Sequence, residues 1–283
     1  MEEFSQIESL REHLAGLRCM GESIAFVPTM GNLHEGHLEL VKEAKRNAAV
    51  VVVSIYVNPA QFGEGEDFDN YPRTMQQDRE KLENIDTSIL FVPSDGEMYP
   101  AGDRSPATTV EVAGISEQLC GRSRPGHFAG VATVVTKLLN IVQPDVALFG
   151  QKDYQQLLVI RQLVADLNLP VEVIGVPTFR EDDGLAMSSR NGYLDAEERE
   201  RAPEIYRTLQ WAGDQLEAGR EDYPVIELEA IEKLRQAGFL VDYFSILDSG
   251  LHSVKNGSKN LTVLAAAKMG ATRLIDNLPL NLR

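Results

Sequence analysis

Two histidines stand three residues apart in the segment VPTMGNLHEGHLELV, residues 27–41, of a chain that has only five histidines. Asn32 with Glu35 three residues later is a capping pattern, and it predicts that a helix begins directly after Asn32. His34 and His37 then share one face of the first turn. Because the backbone amides of a first turn and the helix dipole attract anions, the segment predicts a phosphate-binding helix start.

Two other interpretations of this segment stay open on its own residues. Zinc proteases place two histidines four residues apart, whereas His34 and His37 are three apart, and a third ligand would have to come from elsewhere, such as His127. The two histidines could also lie at a helix end without binding any ligand. Gly36 favours the phosphate interpretation, because it removes a side chain where a phosphate would come close.

Uncharged and basic polar residues follow in VNPAQF, residues 57–62, and in SRPGHFAGVATVV, residues 123–135. Gln61 offers both a donor and an acceptor, as needed to bind a hydroxyl beside a carboxylate without adding charge. Arg124 and His127 fall on a turn before a predicted helix. An arginine there suits either an ion pair or a substrate contact, and the sequence leaves both open.

Two further segments carry residues suited to phosphate. In FGQKDYQQL, residues 149–157, Lys152 follows a strand end, where a lysine suits phosphate oxygens as a point charge. Asp153 with Gln156 is a capping pattern for the next helix. In AMSSRNGY, residues 186–193, two hydroxyls and an arginine share a glycine-flanked loop, which is typical of a phosphate contact or of a simple polar loop.

The composition limits the function classes. The chain has 283 residues with 27 Lys plus Arg against 43 Asp plus Glu, a net charge of -16. This acidic balance disfavours a general nucleic-acid binder. Two cysteines, Cys19 and Cys120, are too few for a disulfide framework, and no apolar run approaches a membrane span. A cytoplasmic protein without a membrane partner is expected.

The elements that must position these residues follow from the hydrophobic pattern. Apolar runs predict short buried strands at 24–29, 50–58, 88–93, 145–150 and 171–177. Amphipathic segments between them predict helices at 34–48, 74–84, 131–142 and 154–167. Buried strands separated by helices indicate a parallel sheet with right-handed crossovers, and such sheets bind ligands at the carboxyl ends of their strands.

The hydrophobic pattern of the sequence changes after residue 178. The segment FREDDGLAMSSRNGY is polar and linker-like, Asp195 with Glu198 predicts a helix start, and another helix is predicted at about 224–237. The segments VDYFSILD, LTVLAAAKM and TRLIDN near the end of the chain predict a small antiparallel sheet. We therefore expect an α/β domain over residues 1–178 and a smaller α+β domain over residues 179–283.

Taken in order, PTMGNLHEGHLELV, YVNPAQF, YPRT, RPGHFAGVATVV, FGQKDYQQL and MSSRNGYL closely resemble the pantothenate synthetases, the pantoate–β-alanine ligases. HEGH resembles the HIGH-type signature of related nucleotidylyl transferases, and MSSR resembles their mobile KMSKS loop. Gln151 departs from the glutamate expected there in most relatives.

The resemblance implies an ATP-dependent condensation in two steps. Pantoate first reacts with ATP to give pantoyl adenylate and pyrophosphate, and β-alanine then displaces AMP to give pantothenate, on the route to coenzyme A. The resemblance also implies a Rossmann-like N-terminal domain, a smaller C-terminal domain, Mg²⁺ that accompanies ATP, and a homodimer. No nucleic-acid partner is expected, because the composition is acidic.

The resemblance also implies a role for each site residue. Gln61 and Gln156 hold pantoate, Gln61 also borders β-alanine, and no residue is assigned to a metal. The ATP site comprises Met30, Gly31, Asn32, Leu33, His34, Glu35, Gly36, His37, Gly150, Gln151, Lys152, Asp153, Phe179, Met187, Ser188, Ser189 and Arg190. The catalytic set is His37, His34, Lys152, Ser188, Ser189 and Arg190, with His37 the better proton donor toward departing pyrophosphate.

Two rival functions compete with this one. A nucleotidylyl transferase of the same superfamily would keep the adenylate as product, and the two glutamines argue against it. A nucleotide sensor or RNA-binding module would have lost the chemistry, which the retained His34, His37, Lys152 and Arg190 disfavour.

Overall fold

The computed structural model describes residues 1–100, 108–255 and 257–282. Two compact units are present. The first comprises Met1–Gln151 and Gln155–Pro177, and the second comprises Lys152–Tyr154 and Thr178–Arg283. Within the described ranges, every helix is too short or too polar to cross a bilayer.

A six-stranded sheet forms the centre of the first unit. All its pairings are parallel, as predicted, and the strand order is β1-β4-β3-β2-β5-β6. The strands are β1 Glu2–Phe4, β2 Ile24–Thr29, β3 Val50–Ile55, β4 Ile89–Phe91, β5 Val146–Gly150 and β6 Glu172–Val176. Five of them match predicted strands; β1, only three residues long and partly acidic, has no hydrophobic pattern by which it could be predicted.

Helices cover both faces of this sheet. They are α1 Ile7–Cys19, α2 Glu35–Asn47, α3 Met75–Asn84, α4 Asp95–Met98, α5 Leu119–Ser123, α6 His127–Val142 and α7 Tyr154–Asp166. Alternate residues of β2 enter different cores: Phe26 packs with α1 and α6, and Val27 packs with α2. Full burial of one such side chain stabilises the fold by about 1.5–3 kcal/mol, so burial on both faces explains the continuous apolar strands.

The strand order defines where a ligand can bind. Strands β2 and β5 are neighbours, and the chain runs from β2 to β3 on one side and from β5 to β6 on the other, so the two connections diverge in opposite directions. In open parallel sheets this divergence leaves a crevice at the carboxyl ends of the strands. The loops after Thr29 and Gly150 therefore border the crevice.

The second unit contains a three-stranded antiparallel sheet with helices. Its elements are α8 Ala196–Arg201, α9 Glu204–Glu217, α10 Tyr223–Gln236, β7 Leu240–Asp248, β8 Asn260–Met269 and β9 Thr272–Asn281. The strand order is β7-β8-β9, which confirms the predicted antiparallel sheet. The predicted capping box is also present, since Asp195 Oδ1 accepts from Glu198 N and Glu198 Oε2 accepts from Asp195 N.

An edge strand of this sheet is partly satisfied by a side chain. Ile246 N, in β7, donates to Glu227 Oε1 at 2.7 Å, and Glu227 lies on α10. Burial raises the pKa of Glu227, although the bond from Ile246 acts in the opposite direction.

The segment after residue 178 is not the linker that its polarity predicts. Met187 N donates to Phe179 O, and Arg180 bridges to Ala186 as in a short hairpin. Arg180 also makes a two-pronged ion pair with buried Asp276, at 2.6 and 3.0 Å. Polar residues of this segment therefore form ion pairs within the second unit. Composition alone cannot show whether a polar residue makes an ion pair or is exposed to water.

Helix α6 begins four residues before the predicted position 131. Gly126 takes a left-handed conformation, with φ at 81°, and acts as the N-cap, so the helix starts at His127. Its start lies against the loop after β3: a Cβ added at Gly130 would lie 2.2 Å from Ala60 O. Glycine is required there by close backbone approach.

We predict that Gly130→Ala lowers stability, because the methyl group must displace backbone; overpacking of this kind costs roughly 1–3 kcal/mol. The measurement is the midpoint of urea unfolding. Gly16→Ala is the matched control: Gly16 lies in α1 with nothing within 4 Å of an added Cβ, and the change should stabilise by about 0.5–1 kcal/mol. Equal midpoints for the two variants would contradict the close approach.

Candidate active site

The loop that follows β2 is held by a carboxylate from another helix. Asp78, in α3 and 1% exposed, accepts from Asn32 N at 2.9 Å and from Leu33 N at 2.8 Å. Asn32 is left-handed, with φ at 48°. The prediction that Asn32 caps α2 is therefore wrong: the helix begins at Glu35 with His34 as its N-cap, because Asp78 turns the preceding amides toward itself.

Additional contacts from α3 fix the same loop. Lys81 Nζ donates to Leu33 O at 2.6 Å, and Thr74 Oγ1 lies 3.2 Å from Asp78 Oδ1. Thr74 is the N-cap residue of α3, but its hydroxyl makes no capping bond to the backbone of α3. It bonds to the Asp78 carboxylate instead.

Gly31 is required by its surroundings. Its φ is +80°, and an added Cβ would lie 3.0 Å from Ile55 Cγ2 and 3.1 Å from Asp78 Oδ2. Gly31 N also donates to Thr29 Oγ1 at 3.2 Å, and Thr29 Oγ1 donates to Ser54 O at 2.8 Å. The chain thus leaves β2 in one defined conformation.

His34 and His37 lie together at the start of α2. Their ring centroids are 4.0 Å apart, and both residues are half-buried. His34 N donates to His37 Nδ1 at 3.3 Å. Because Nδ1 accepts this bond, a neutral His37 carries its proton on Nε2. His37 can therefore present an N–H to a ligand oxygen through Nε2.

Gln61 lies in a buried polar network after β3. It is 8% exposed; its Oε1 accepts from Asn58 Nδ2 at 3.1 Å, and its Nε2 lies 3.1 Å from Met30 Sδ. Asn58 Oδ1 accepts from Tyr99 Oη at 2.8 Å. Burial raises the pKa of Tyr99 to about 12, so its hydroxyl stays a donor at neutral pH. The network fixes the orientation of the Gln61 amide.

The two adjacent glutamines of α7 differ in their roles. The side chain of Gln155 is buried and bonds to Cys120 N, Ile115 O and Gln118 O. These contacts hold α5 and the turn before it. Gln156 is half-buried, as suits a residue that contacts a ligand.

The segment after β5 forms a 3₁₀ turn, Gln151–Asp153. Gln151 Nε2 donates to Gly175 O at 3.2 Å, a bond that an ionised glutamate could not make. Lys152 and Asp153 belong to the second unit by their contacts, and Lys152 O accepts from Asn277 Nδ2 at 2.9 Å.

The serine and arginine segment lies in the second unit. Ser188 Oγ accepts from Arg190 N at 3.2 Å and caps a 3₁₀ helix, Ser189–Tyr193. Phe179, the hairpin partner of Met187, keeps 38% of its surface exposed. An exposed aromatic ring beside two hydroxyls and a guanidinium suits a nucleotide.

The predicted site residues thus fall into two sets. The first unit carries Met30–His37 and Gly150–Gln151 at the ends of the adjacent strands β2 and β5, together with Gln61 and Gln156. The second unit carries Lys152, Asp153, Phe179 and Met187–Arg190. Sequence reasoning missed Asp78 and Tyr99, because their partners are distant in sequence and no local pattern indicates them.

A resident metal centre is not evident in the parts of the chain that the structure describes: residues 1–100, 108–255 and 257–282 contain no group of three or more His, Cys, Asp or Glu side chains that could hold an ion. The buried carboxylate of Asp78, which lies beside the loop after β2, already accepts hydrogen bonds from two backbone amides.

Comparison with known proteins places the whole chain in a family. The pantoate-beta-alanine ligase family model matches residues 2–279. Pantothenate synthetases of Pseudomonas aeruginosa PAO1 and Acinetobacter baylyi are each 55% identical over 277 residues, which is 98% of both chains in each pair.

Solved structures agree with these sequence matches. The pantothenate synthetase of Thermus thermophilus has a TM-score of 0.92 at 45% identity, covering 98% of this chain and 99% of that one. The pantoate-beta-alanine ligase of Francisella tularensis, solved with β-γ ATP and β-alanine, has a TM-score of 0.83 at 36% identity, with 98% and 97% covered. Matches at this identity over nearly the full length show that this chain is a member of the pantoate–β-alanine ligase family.

Proposed function

We propose that this chain joins pantoate to β-alanine at the expense of ATP, through a pantoyl adenylate. In the first step a pantoate carboxylate oxygen bonds to the α-phosphorus as the bond to pyrophosphate breaks. In the second step the β-alanine nitrogen bonds to the acyl carbon, AMP leaves, and the amine loses a proton. The observation that carries the proposal is membership of the family together with a fixed, histidine-bearing loop at the sheet's crevice.

The phosphates of ATP are assigned to the start of α2. The first-turn amides at Glu35 and Gly36 point along the helix toward an anion, and the helix dipole adds favourable charge. His37 donates from Nε2 toward the departing pyrophosphate, and the His34 ring packs against the His37 ring at a tilt of 40°. In a phosphoryl transition state charge spreads over the oxygens, so preorganised donors of this kind lower the barrier.

The predicted site residues of the second unit are assigned to the same nucleotide. Lys152, Ser188, Ser189 and Arg190 supply cationic and hydroxyl groups for phosphate oxygens, and Phe179 and Met187 supply apolar surface for the base. In this proposal residues 179–192 and the C-terminal domain exclude water from the reactive adenylate, which hydrolysis would otherwise destroy.

Pantoate is assigned to Gln61 and Gln156. The Asn58 and Met30 contacts orient the Gln61 amide, so it can meet a hydroxyl and a carboxylate without rearranging. Met30 supplies apolar surface for the dimethyl carbon, and Gln61 also borders β-alanine.

Magnesium is proposed to accompany ATP. Mg²⁺ usually keeps several waters and binds through one or two carboxylates plus phosphate oxygens, which suits a chain whose described part offers no preformed cluster. The ion would neutralise phosphate charge, and no residue here is assigned as its ligand. The homodimer, the absence of nucleic-acid partners and a cytoplasmic location stay predictions.

The overall reaction is tested by incubating the protein with ATP, Mg²⁺, pantoate and β-alanine. We expect AMP and pantothenate to form in equal amounts, with steady AMP release dependent on β-alanine. Steady pyrophosphate release without β-alanine, with no AMP released, would favour the rival transferase that keeps its adenylate as product.

The histidine assignment predicts a defect in one step only. His37→Ala should slow adenylate formation by about 10²–10³-fold, the usual cost of one preorganised donor, and should affect β-alanine attack on preformed pantoyl adenylate much less. Single-turnover kinetics measure both steps. His252→Ala, at a side chain 73% exposed, is the control.

A first step at normal speed in the His37→Ala protein would refute the phosphate assignment. Loss of activity with a zinc chelator and its return with zinc would instead support the metal interpretation of the histidine pair.

The glutamine assignment predicts a selective effect on pantoate. Gln61→Ala should raise the pantoate KM roughly 10- to 100-fold, because buried partners are left unsatisfied, and should change the ATP KM little. Gln162→Ala, at an exposed position of α7, is the matched control and should change neither constant. Equal changes in both constants for Gln61→Ala would remove Gln61 from the pantoate site.

A further inference from the structure

The backbone of Gln61 is contacted by a histidine that the reaction scheme does not use. His127, the first residue of α6, has its Nδ1 2.8 Å from Gln61 O. The carbonyl lies at the end of the 3₁₀ turn Pro59–Gln61. A bond to that carbonyl fixes the peptide group next to the Cα atom that carries the Gln61 side chain.

The other ring nitrogen of His127 determines its protonation. Arg124 Nη1 lies 3.0 Å from His127 Nε2. A guanidinium can only donate, so Nε2 must accept and the proton must sit on Nδ1. The neutral imidazole is therefore in the tautomer that donates from Nδ1 to Gln61 O.

Arg124 is itself held in place. Its Nε and Nη2 donate to Glu66 Oε1 and Oε2 at 2.7 and 2.6 Å, and its side chain is 17% exposed. This two-pronged geometry fixes the guanidinium plane, which leaves Nη1 directed at the histidine. Three side chains therefore form one hydrogen-bonded chain that ends on the main chain of Gln61.

We propose that His127 and Arg124 are positioning residues for Gln61, and that they set pantoate affinity by orienting its amide. The inference rests on the proposed role of Gln61 as a pantoate contact. Both ring nitrogens of His127 are occupied by protein groups, so a positioning role fits this histidine better than proton transfer to substrate.

The test is a double-mutant cycle read out as KM for pantoate at saturating ATP. His127→Ala should raise the pantoate KM by roughly 3- to 10-fold, the worth of one hydrogen bond, with little change in kcat or in the ATP KM. In the Gln61→Ala background the same substitution should have almost no further effect, because the oriented amide is already gone.

A conservative variant separates positioning from general packing. The side-chain amide of His127→Asn can place an N–H near the position of Nδ1. The pantoate KM of this variant should therefore lie close to that of the unmodified protein. Thermal unfolding of every variant is measured in parallel. If His127→Ala does not fold, Arg124→Ala takes its place, because it removes the group that fixes the tautomer.

The outcomes separate the two proposals. An unchanged pantoate KM in Gln61→Ala would refute the role of Gln61 itself. A raised KM in Gln61→Ala with an unchanged KM in the variants at 124 and 127 would overturn only the positioning inference. Additive effects in the double mutant, or no recovery in His127→Asn, would overturn it as well.

Discussion

The carboxylate of Asp78 is the constraint on which the candidate site depends. It lies buried, and it accepts two consecutive backbone amides from the loop that joins β2 to α2. Hydrogen bonds to a charged group are worth more than neutral ones, and losing this acceptor would leave two amide donors unsatisfied. The position at which α2 begins, the conformation of Gly31 and the placement of both histidines all follow from this contact.

A fixed loop also explains how an acidic protein can bind an anionic nucleotide. The net charge of -16 opposes ATP at long range, but salt screens such fields beyond about 8–10 Å. In the proposed function, short-range donors decide nucleotide binding: the amides at the start of α2 and the two imidazoles, with Lys152 and Arg190 proposed as further phosphate contacts. In the proposed function, specificity for the acid substrate has a different source: the uncharged amide of Gln61, which its buried neighbours hold in place.

Much of the fold was predictable because hydrophobic period and strand length are local properties. Five of the six parallel strands, the antiparallel sheet and the Asp195 capping box follow from neighbouring residues. The errors have a common cause. Asn32 looked like a cap, and residues 179–193 looked like a linker, because Asp78 and Asp276 are distant in sequence and contribute no local signal. For the site, residue types could be read from motifs, whereas the His127 tautomer required Arg124 in three dimensions.

The bond between Glu227 and Ile246 has a consequence for how the protein behaves when crowded. An edge strand with open amides is a template on which another chain can add a strand, and repeated addition builds fibres. In β7 one of those amides is already occupied by a carboxylate from α10. An incoming strand would have to displace this half-buried carboxylate before it could pair at Ile246, so the edge of the smaller sheet is protected against strand addition at that position.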